Sequence, residues 1–306
     1  MKTSTPSRAL EAYLADARGR VDAVLERWGA RSERFWPSPS PLAAAVRYSL
    51  LSTGKRLRPT LVVACYEAVG GGSPAVAELA AAVEVVHAYS LVHDDLPCMD
   101  NDDLRRGRPT THRAFDVRTA TEAGYHMVAL AARVLAAGMD ALDLDAERRR
   151  TIALELFRAA GAGGMIGGQA LDLEAEGLRL PATELAEIHR CKTGALIAAS
   201  CVIGALAAGA AAPACEALRG YGADVGLAFQ VYDDVLDATA TSDQLGKTAG
   251  KDAALAKSTF VTLLGVGAAR AEAERLAARA VDRLRLGGLA SPTLVALAHY
   301  IVTRPS

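Results

Sequence analysis

Apolar residues recur along most of the chain at the three- and four-residue spacing of α-helices, and the strict alternation typical of strands is scarce. Gly and Pro clusters, such as the one at 70–74, separate the periodic stretches. The pattern predicts one all-α domain over 1–306, with roughly ten or more helices. The predicted helices cover 9–28, 42–51, 60–69, 75–95, 119–138, 146–160, 182–211, 215–237, 258–286 and 291–302.

Composition narrows the class of protein. The 34 basic and 35 acidic residues leave a net charge of −1, which argues against a nucleic-acid partner. Residues 196–215 are nearly free of polar side chains, but Ala and Gly dominate them and gain little from lipid, so a buried helix is favoured over a membrane span. The 5 cysteines form no CxxC pair, and residues 1–20 contain no apolar signal-peptide core. We expect a cytoplasmic protein with reduced thiols.

Two aspartate-rich segments about 140 residues apart carry the strongest chemical signal. The first contains Asp94, Asp95 and Asp100, and the second runs from Phe229 to Asp237; each ends an apolar, helix-like run. Clustered carboxylates on apolar helices repel one another and lose hydration, unless cations lie between them. Oxygen ligands without His or Cys favour a hard ion, so the segments predict Mg²⁺ sites that would clamp a diphosphate.

The spacing inside each segment supports this interpretation. Asp233 and Asp237 are four residues apart, which places both carboxylates on one helical face. Pro97 lies between Asp94 and Asp100, and a kink there could bring Asp100 back towards Asp94. A solvated helix face and a polar loop are the alternative readings, but they explain two such segments in one helical chain poorly.

Basic residues accompany the acidic segments, and Gly54 precedes one group at a predicted helix N-terminus, a position that suits phosphate. Each cation alone would usually be a surface charge. Together with the carboxylates they predict two anionic sites, one held through metal and one through direct basic contacts. The basic residues are Lys55, Arg56, Arg58, Arg105, Arg106, Lys192, Lys247 and Lys257.

Five ordered motifs resemble those of the trans-isoprenyl diphosphate synthases. The stretch from His87 to Asp100, with Arg105-Arg106-Gly107, resembles the first aspartate-rich motif of that family, and the segment ending at Asp237 resembles the second. Gly54–Pro59, Gly167–Leu173 and Lys192–Gly194 resemble three further motifs in family order. The resemblance covers nearly the whole chain and is closest to bacterial farnesyl diphosphate synthases.

This resemblance implies an all-α homodimer with a deep cavity between helices, and roughly three Mg²⁺ ions around the bound diphosphate. Asp94, Asp100 and Asp233 would bind the metal directly, and Asp95, Asp234 and Asp237 would support them. The allylic diphosphate would be held by Arg105, Lys192, Thr193, Gln230, Lys247 and Lys257. Isopentenyl diphosphate would be held by Gly54, Lys55, Arg58, His87 and Arg106.

Helix geometry gives an expectation for product length. Tyr89 lies about 7.5 Å before Asp94 along a helix axis, and Ser90 lies on nearly the same face as Asp94. A bulky Tyr89 would therefore form the floor of a cavity for a growing prenyl chain. The resemblance agrees, because an aromatic residue there usually suits a C15 product; the expected product is farnesyl diphosphate, and geranylgeranyl diphosphate is the alternative.

Tyr125 departs from the family pattern, which usually has an Asp facing the metal cluster after Ala123-Gly124. Two other functions therefore stay open. A class I terpene cyclase would also ionise a diphosphate, but it needs no basic site such as Lys55 and Arg58. A non-catalytic subunit of another synthase would tend to lose its acidic motifs, and both are intact here.

Overall fold

Helices form nearly all of the regular structure that the computed structural model describes, which comprises residues 8–35, 40–239 and 258–304. This confirms the predicted all-α class. The helices are α1 (Arg8–Ser32), α2 (Pro41–Leu50), α3 (Leu57–Ala68), α4 (Val76–Asp94), α5 (Thr111–Ala114), α6 (Val117–Ala141), α7 (Ala146–Ala160), α8 (Met165–Glu174), α9 (Ala182–His189), α10 (Ala195–Ala207), α11 (Ala212–Thr239), α12 (Phe260–Leu264), α13 (Val266–Leu286) and α14 (Pro292–Ile301).

Two short helical turns and a β-hairpin accompany these helices among the described residues. Glu33–Phe35 is a 3₁₀ turn after α1, and Arg190–Gly194 is a π-helical turn between α9 and α10. β1 (Leu104–Arg105) and β2 (Arg108–Pro109) form a two-stranded antiparallel hairpin, in which Arg105 pairs with Arg108. The hairpin lies immediately after the first acidic segment.

The structure divides two of the predicted helices and adds two, the one-turn α5 and the longer α8. The stretch 182–211 is broken by the π turn, and 258–286 is interrupted at Gly265, whose φ of 81° is a conformation that glycine adopts without strain. Helix α8 is absent from the predictions because its first turn contains Gly167 and Gly168, which weaken the helical signal.

The buried apolar side chains form two clusters. One lies around α4 and α6, and the other lies around α11 and α13. Helices α3 and α10 contribute side chains to both clusters. The two helices also pack closely against each other: a Cβ added at Gly204 would lie only 2.9 Å from the backbone nitrogen of Tyr66. The helices that carry the two acidic segments, α4 and α11, are thereby joined through a shared pair of helices.

Within the part of the chain that the structure describes, two stretches are apolar and long enough to cross a bilayer, namely Val76–Asp94 and Ala182–Ala207. In each, 72% of the apolar window is buried inside the protein, as in the core helices of large helical proteins. The five cysteines Cys65, Cys98, Cys191, Cys201 and Cys215 are free thiols, in agreement with the expectation from the sequence.

Candidate active site

The first acidic segment folds back on itself after α4. The backbone N–H of Asp100 donates to the carbonyl of Asp94 at 2.8 Å, and the N–H of Asp102 donates to the carbonyl of Asp95 at 3.2 Å. Asn101 adopts a left-handed conformation, with a φ of 50°, that permits the reversal. The predicted return of Asp100 to the end of α4 is confirmed.

The carboxylate of Asp94 is largely buried and therefore poorly hydrated. Burial, together with the neighbouring charges of Asp100 and Asp95, raises its pKa to about 7, although Lys192 and Arg105 oppose the shift. A cation bound here would relieve this repulsion and would release a proton near neutral pH.

Asp95 instead forms an ion pair with an arginine. Its buried carboxylate accepts from Nε of Arg105 at 2.7 and 3.0 Å, and also from Nη2 of the same guanidinium. Burial raises the pKa of Asp95, and the Arg105 contacts oppose that shift. Asp95 therefore fixes Arg105 beside the first acidic segment.

The second acidic segment lies on the regular helix α11, so Asp233 and Asp237 are one helical turn apart as predicted. The buried Asp234 accepts from the backbone N–H of Phe260 at 2.7 Å, which ties the start of α12 to α11. Its carboxylate also lies 4.0 Å from Nε2 of His189. Asp234 thus has a structural role, in addition to its expected role in supporting a metal site.

Asp233 forms an ion pair with Arg304, a residue that the sequence analysis missed. The Arg304 side chain is only 1% exposed, and its guanidinium lies over the ring of Phe229 at 4.1 Å. It also donates to the carbonyls of Phe229 and Ile301. A single Arg that follows an apolar helix gives no sequence signal of this contact.

The π turn presents Lys192 and Thr193 to the end of α8 and to α11. Nζ of Lys192 lies 2.7 Å from the carboxylate of Asp172, and Oγ1 of Thr193 donates to Gln230 at 3.0 Å. Gly168 makes this possible, since a Cβ there would lie 2.5 Å from the Cα of Lys192. π turns are frequent at functional sites because they redirect a side chain.

Gln169 and Asp172 are further residues of this region to which the sequence analysis gave no role. Both side-chain polar atoms of Gln169 are buried without a hydrogen-bond partner among the described residues, a state that normally requires a ligand, an ion or water. Their position in the Gly167–Leu173 motif was the available signal.

A second basic group lies within electrostatic range of Asp233. Nη1 of Arg58 lies 3.2 Å from Nε2 of His87 and donates to it. Burial lowers the pKa of Arg58 to about 10, so it stays charged at neutral pH, and burial together with Arg58 lowers the pKa of His87, so the imidazole is neutral. Burial and the charge of Arg304 lower the pKa of Lys55, while Asp233 opposes this shift.

Arg56 has a structural role in this loop. Its φ is 49°, and its buried guanidinium binds Glu84 at 2.7 Å, Asp22 at 2.8 Å and the carbonyl of Ser52 at 2.8 Å. These contacts fix the turn that presents Lys55. Arg56 is therefore not available to a substrate.

Arg106 reaches the same loop from the hairpin. Its Nη1 donates to the carbonyl of Thr53, and a Cβ at Gly54 would lie 2.5 Å from that nitrogen. Gly54 thus leaves room for the Arg106 side chain. Arg106 itself occupies the left-handed region with a φ of 54°.

The predicted chain-length residues lie inside the fold. Tyr89 is buried, its ring lies 6.1 Å from that of His93, and burial beside Asp94 raises its pKa to about 12. Ser90 is also buried and donates to the carbonyl of His87 at 2.9 Å. Tyr125 lies on the exposed side of α6, with its ring 5.2 Å from His93.

Within the described residues, no group of three or more His, Cys, Asp or Glu is preassembled for a metal. The carboxylates are spread over two helices, and arginines hold one of them in each segment. An all-oxygen donor set with a desolvated Asp94 nevertheless fits Mg²⁺, because the ion takes few carboxylates and keeps water and substrate oxygens. Lys247 and Lys257 lie outside the described residues.

Comparisons with known proteins place the chain in a family. The sequence model described as polyprenyl synthetase matches residues 39–283. The farnesyl diphosphate synthase of Escherichia coli is 45% identical over 269 residues, which are 87% of this chain and 90% of that protein. Geranylgeranyl pyrophosphate synthase 9 of Arabidopsis thaliana is 44% identical over 272 residues, covering 87% of this chain and 75% of its own.

Solved structures agree with this assignment. A geranyltransferase from Legionella pneumophila superposes with a TM-score of 0.82 and 35% identity, over 97% of this chain and 98% of its own. A geranyltransferase from Helicobacter pylori, solved in complex with magnesium and isoprenyl diphosphate, gives a TM-score of 0.79 and 32% identity, over 97% of each chain. The chain therefore belongs to the polyprenyl synthetase family and is a trans-prenyltransferase related to the farnesyl and geranylgeranyl diphosphate synthases.

Proposed function

We propose that this prenyltransferase condenses isopentenyl diphosphate with dimethylallyl or geranyl diphosphate, and that its main product is farnesyl diphosphate. The supporting observation is the presence of two separate cationic groups. Lys192 lies close enough to Asp94 to lower its pKa, whereas Lys55, Arg58 and Arg106 lie beside Asp233 and Gly54. A terpene cyclase would need only the first group.

Mg²⁺ would be held by Asp94, Asp100 and Asp233, with support from Asp95, Asp234 and Asp237, and would supply positive charge that stabilises the departing diphosphate. Lys192 and Arg105 would bind the same diphosphate directly, together with Thr193, Gln230, Lys247 and Lys257. These contacts act on charge that develops as the allylic C–O bond ionises.

Lys55, Arg58, His87 and Arg106 would orient isopentenyl diphosphate so that its alkene attacks the allylic cation. The neutral imidazole of His87 would contribute a hydrogen bond without a charge. A proton is then lost from the adduct, with the released diphosphate as the nearest acceptor. Apolar walls around Tyr89 would keep water away from the cation.

The buried ring of Tyr89, within electrostatic range of Asp94, supports a cavity that ends near the C15 length. Geranylgeranyl diphosphate is the second candidate, because relatives named for each product are almost equally similar.

We further propose a cytoplasmic homodimer whose chain forms a single catalytic domain. Three apolar side chains on the neighbouring helices α6 and α7 support the dimer because they are exposed: Tyr125 at 67%, Val128 at 37% and Leu154 at 38%.

Product analysis tests the proposed reaction. The pure protein is incubated with Mg²⁺, isopentenyl diphosphate and, separately, dimethylallyl, geranyl or farnesyl diphosphate, and the prenyl products are identified by mass spectrometry. We expect a C15 diphosphate from the first two primers. A cyclised hydrocarbon without isopentenyl incorporation, or no product from any primer, would contradict the proposal.

The same assay tests the cavity floor. Tyr89→Ala should extend the product to C20 or beyond, while Tyr89→Phe, which keeps the ring, should still stop at C15. If Tyr89→Ala also stops at C15, Tyr89 is not the floor. A wild-type C20 product would retain the reaction class and replace the proposed product.

A further inference from the structure

The β1–β2 hairpin carries two arginines of the site but has few internal contacts. Each strand contributes only 2 residues to the ladder, and the turn is Arg106-Gly107, both with positive φ. Two-stranded hairpins are marginally stable by themselves in water, so contacts with the rest of the protein must hold this one in place.

One such contact comes from Tyr48 on α2. Its hydroxyl donates to the carbonyl of Pro109 at 2.7 Å, and the guanidinium of Arg108 lies 4.3 Å from the centre of its ring. Phe115 packs edge-on against the same ring at 5.7 Å. Tyr48 therefore contacts β2 through a hydrogen bond and a cation–π contact, while Phe115 packs against the Tyr48 ring from outside the hairpin.

A gap remains between the hairpin and the helices beneath it. A cavity of about 40 Å³ lies beneath it, between α2 and α4, and Tyr48, Thr53, Arg105 and Arg106 are among its lining residues. That volume is large enough for about two or three waters, so side chains do not fill the gap. Individual polar contacts consequently decide where the hairpin lies.

The hairpin's position determines where its two arginines lie. Arg106 reaches Thr53 and the space above Gly54 from the turn, and Arg105 reaches Asp95 from β1. Arg105 has a bidentate carboxylate contact of its own, whereas among the described residues Arg106 donates one hydrogen bond, to a backbone carbonyl. Loosening β2 should therefore displace Arg106 more than Arg105.

We propose that Tyr48 is a positioning residue that holds the hairpin on α2 and thereby places Arg106 for the diphosphate of isopentenyl diphosphate. The part that concerns this substrate rests on the proposed function. The part that concerns the hairpin does not, and the two are tested separately.

Limited trypsin digestion of the full chain tests the hairpin. Trypsin cuts after Arg105 and Arg106, whereas Pro109 protects the bond after Arg108. Tyr48→Ala should accelerate cleavage at the first two sites by about tenfold, because local opening exposes them. Tyr48→Phe keeps the ring contacts and should accelerate it by about two- to threefold.

Tyr13→Phe is the matched control, since it also removes a hydroxyl that donates at 2.7 Å, in this case to Glu67 between α1 and α3. It should leave hairpin cleavage unchanged. Equal cleavage rates in wild type and Tyr48→Ala would overturn the proposal. Faster cleavage over the whole chain, with a large fall in Tm, would also overturn it, because Tyr48 would then act only on general stability.

Steady-state kinetics test the consequence for substrate. Tyr48→Ala should raise the KM for isopentenyl diphosphate about tenfold and leave the KM for the allylic diphosphate within about twofold, with partial rescue in Tyr48→Phe. Equal changes in both KM values would contradict the assignment to Arg106. If the wild-type protein does not use isopentenyl diphosphate, the proposed function fails, while the trypsin result still decides the role of Tyr48 in the hairpin.

Discussion

At the scale of single residues, one carboxylate of each acidic segment forms an ion pair with an arginine. Arg105 binds Asp95 and Arg304 binds Asp233. The first pair has a bidentate geometry between residues 10 apart, and the second joins residues 71 apart in the chain. Since Asp233 is also expected to bind metal, Arg304 and a metal ion would compete for the Asp233 carboxylate.

Replacing Arg304 should alter metal affinity. Arg304→Gln removes the competing charge, so we expect metal, measured as Mn²⁺ binding to the protein with inorganic diphosphate present, to bind about three- to tenfold more tightly. The metal-free variant should lose about 1–3 kcal/mol of unfolding free energy, because Asp233 loses its partner. Both quantities are measurable by titration calorimetry and denaturant unfolding.

Arg285→Gln is the control for this change. Arg285 forms an exposed pair with Asp282 three residues away, and its replacement should leave metal affinity unaltered. Weaker metal binding in Arg304→Gln than in wild type would show that Arg304 supports the metal site instead of competing for it.

Sequence reasoning reached the residues whose neighbours are local. The return of Asp100 to Asp94 followed from Pro97, and the shared face of Asp233 and Asp237 followed from helical spacing. Arg304 could not be found in this way, because its contact with Asp233 depends on how α14 packs in three dimensions. The structural role of Arg56 was equally hidden, since two of its partners lie on α1 and α4.

Among the elements, the π turn between α9 and α10 has the largest effect on the site. The apolar pattern of 182–211 is continuous and therefore predicts one helix. A single π turn adds too little to the helical spacing to be visible in the sequence pattern. The turn is accommodated by Gly168 of α8, which lies against the backbone of Lys192. The position of Lys192 thus depends on a residue of another helix.

Gly168→Ala tests this dependence. The added methyl group would overlap the backbone at Lys192, so we expect a loss of about 1–3 kcal/mol of unfolding free energy and a displaced Lys192 side chain. The displacement should weaken binding of inorganic diphosphate in the presence of Mg²⁺. Thermal unfolding and diphosphate titration are the measurements.

Gly163→Ala gives the comparison, because nothing lies within 4 Å of a Cβ at that position. This variant should keep wild-type stability and diphosphate binding. If Gly168→Ala behaves like Gly163→Ala, the contact between α8 and the π turn does not determine where Lys192 lies.

At the scale of the whole molecule, the composition and helical pattern were sufficient for the all-α class, and the motifs were sufficient for the family. They could not show that the core forms two clusters joined by α3 and α10, because that arrangement depends on which faces meet. The exposed apolar residues of α6 and α7 could not be identified from the sequence for the same reason.

Those exposed residues give a prediction for assembly. The combined variant Val128→Asp and Leu154→Asp should place charges in the proposed dimer contact and yield a monomer, whereas wild type should have twice the chain mass of 31.9 kDa. Light scattering after size-exclusion chromatography measures both masses. Leu286→Asp on α13 alters a side chain that is 88% exposed and should leave the wild-type mass unchanged. A wild-type monomer would refute the proposed dimer.

The order in which the core helices pack has a consequence for how the chain folds. Helix α4 packs extensively against α6, and α11 against α13, whereas α10 packs against the distant α3 as extensively as against its neighbour α11. The entropy cost of closing a loop grows only slowly with its length, and contacts between helices that are near in sequence favour rapid folding. During synthesis, Val76–Asp94 and Ala182–Ala207, which are apolar enough to resemble membrane spans, can each be covered by a helix that leaves the ribosome soon afterwards.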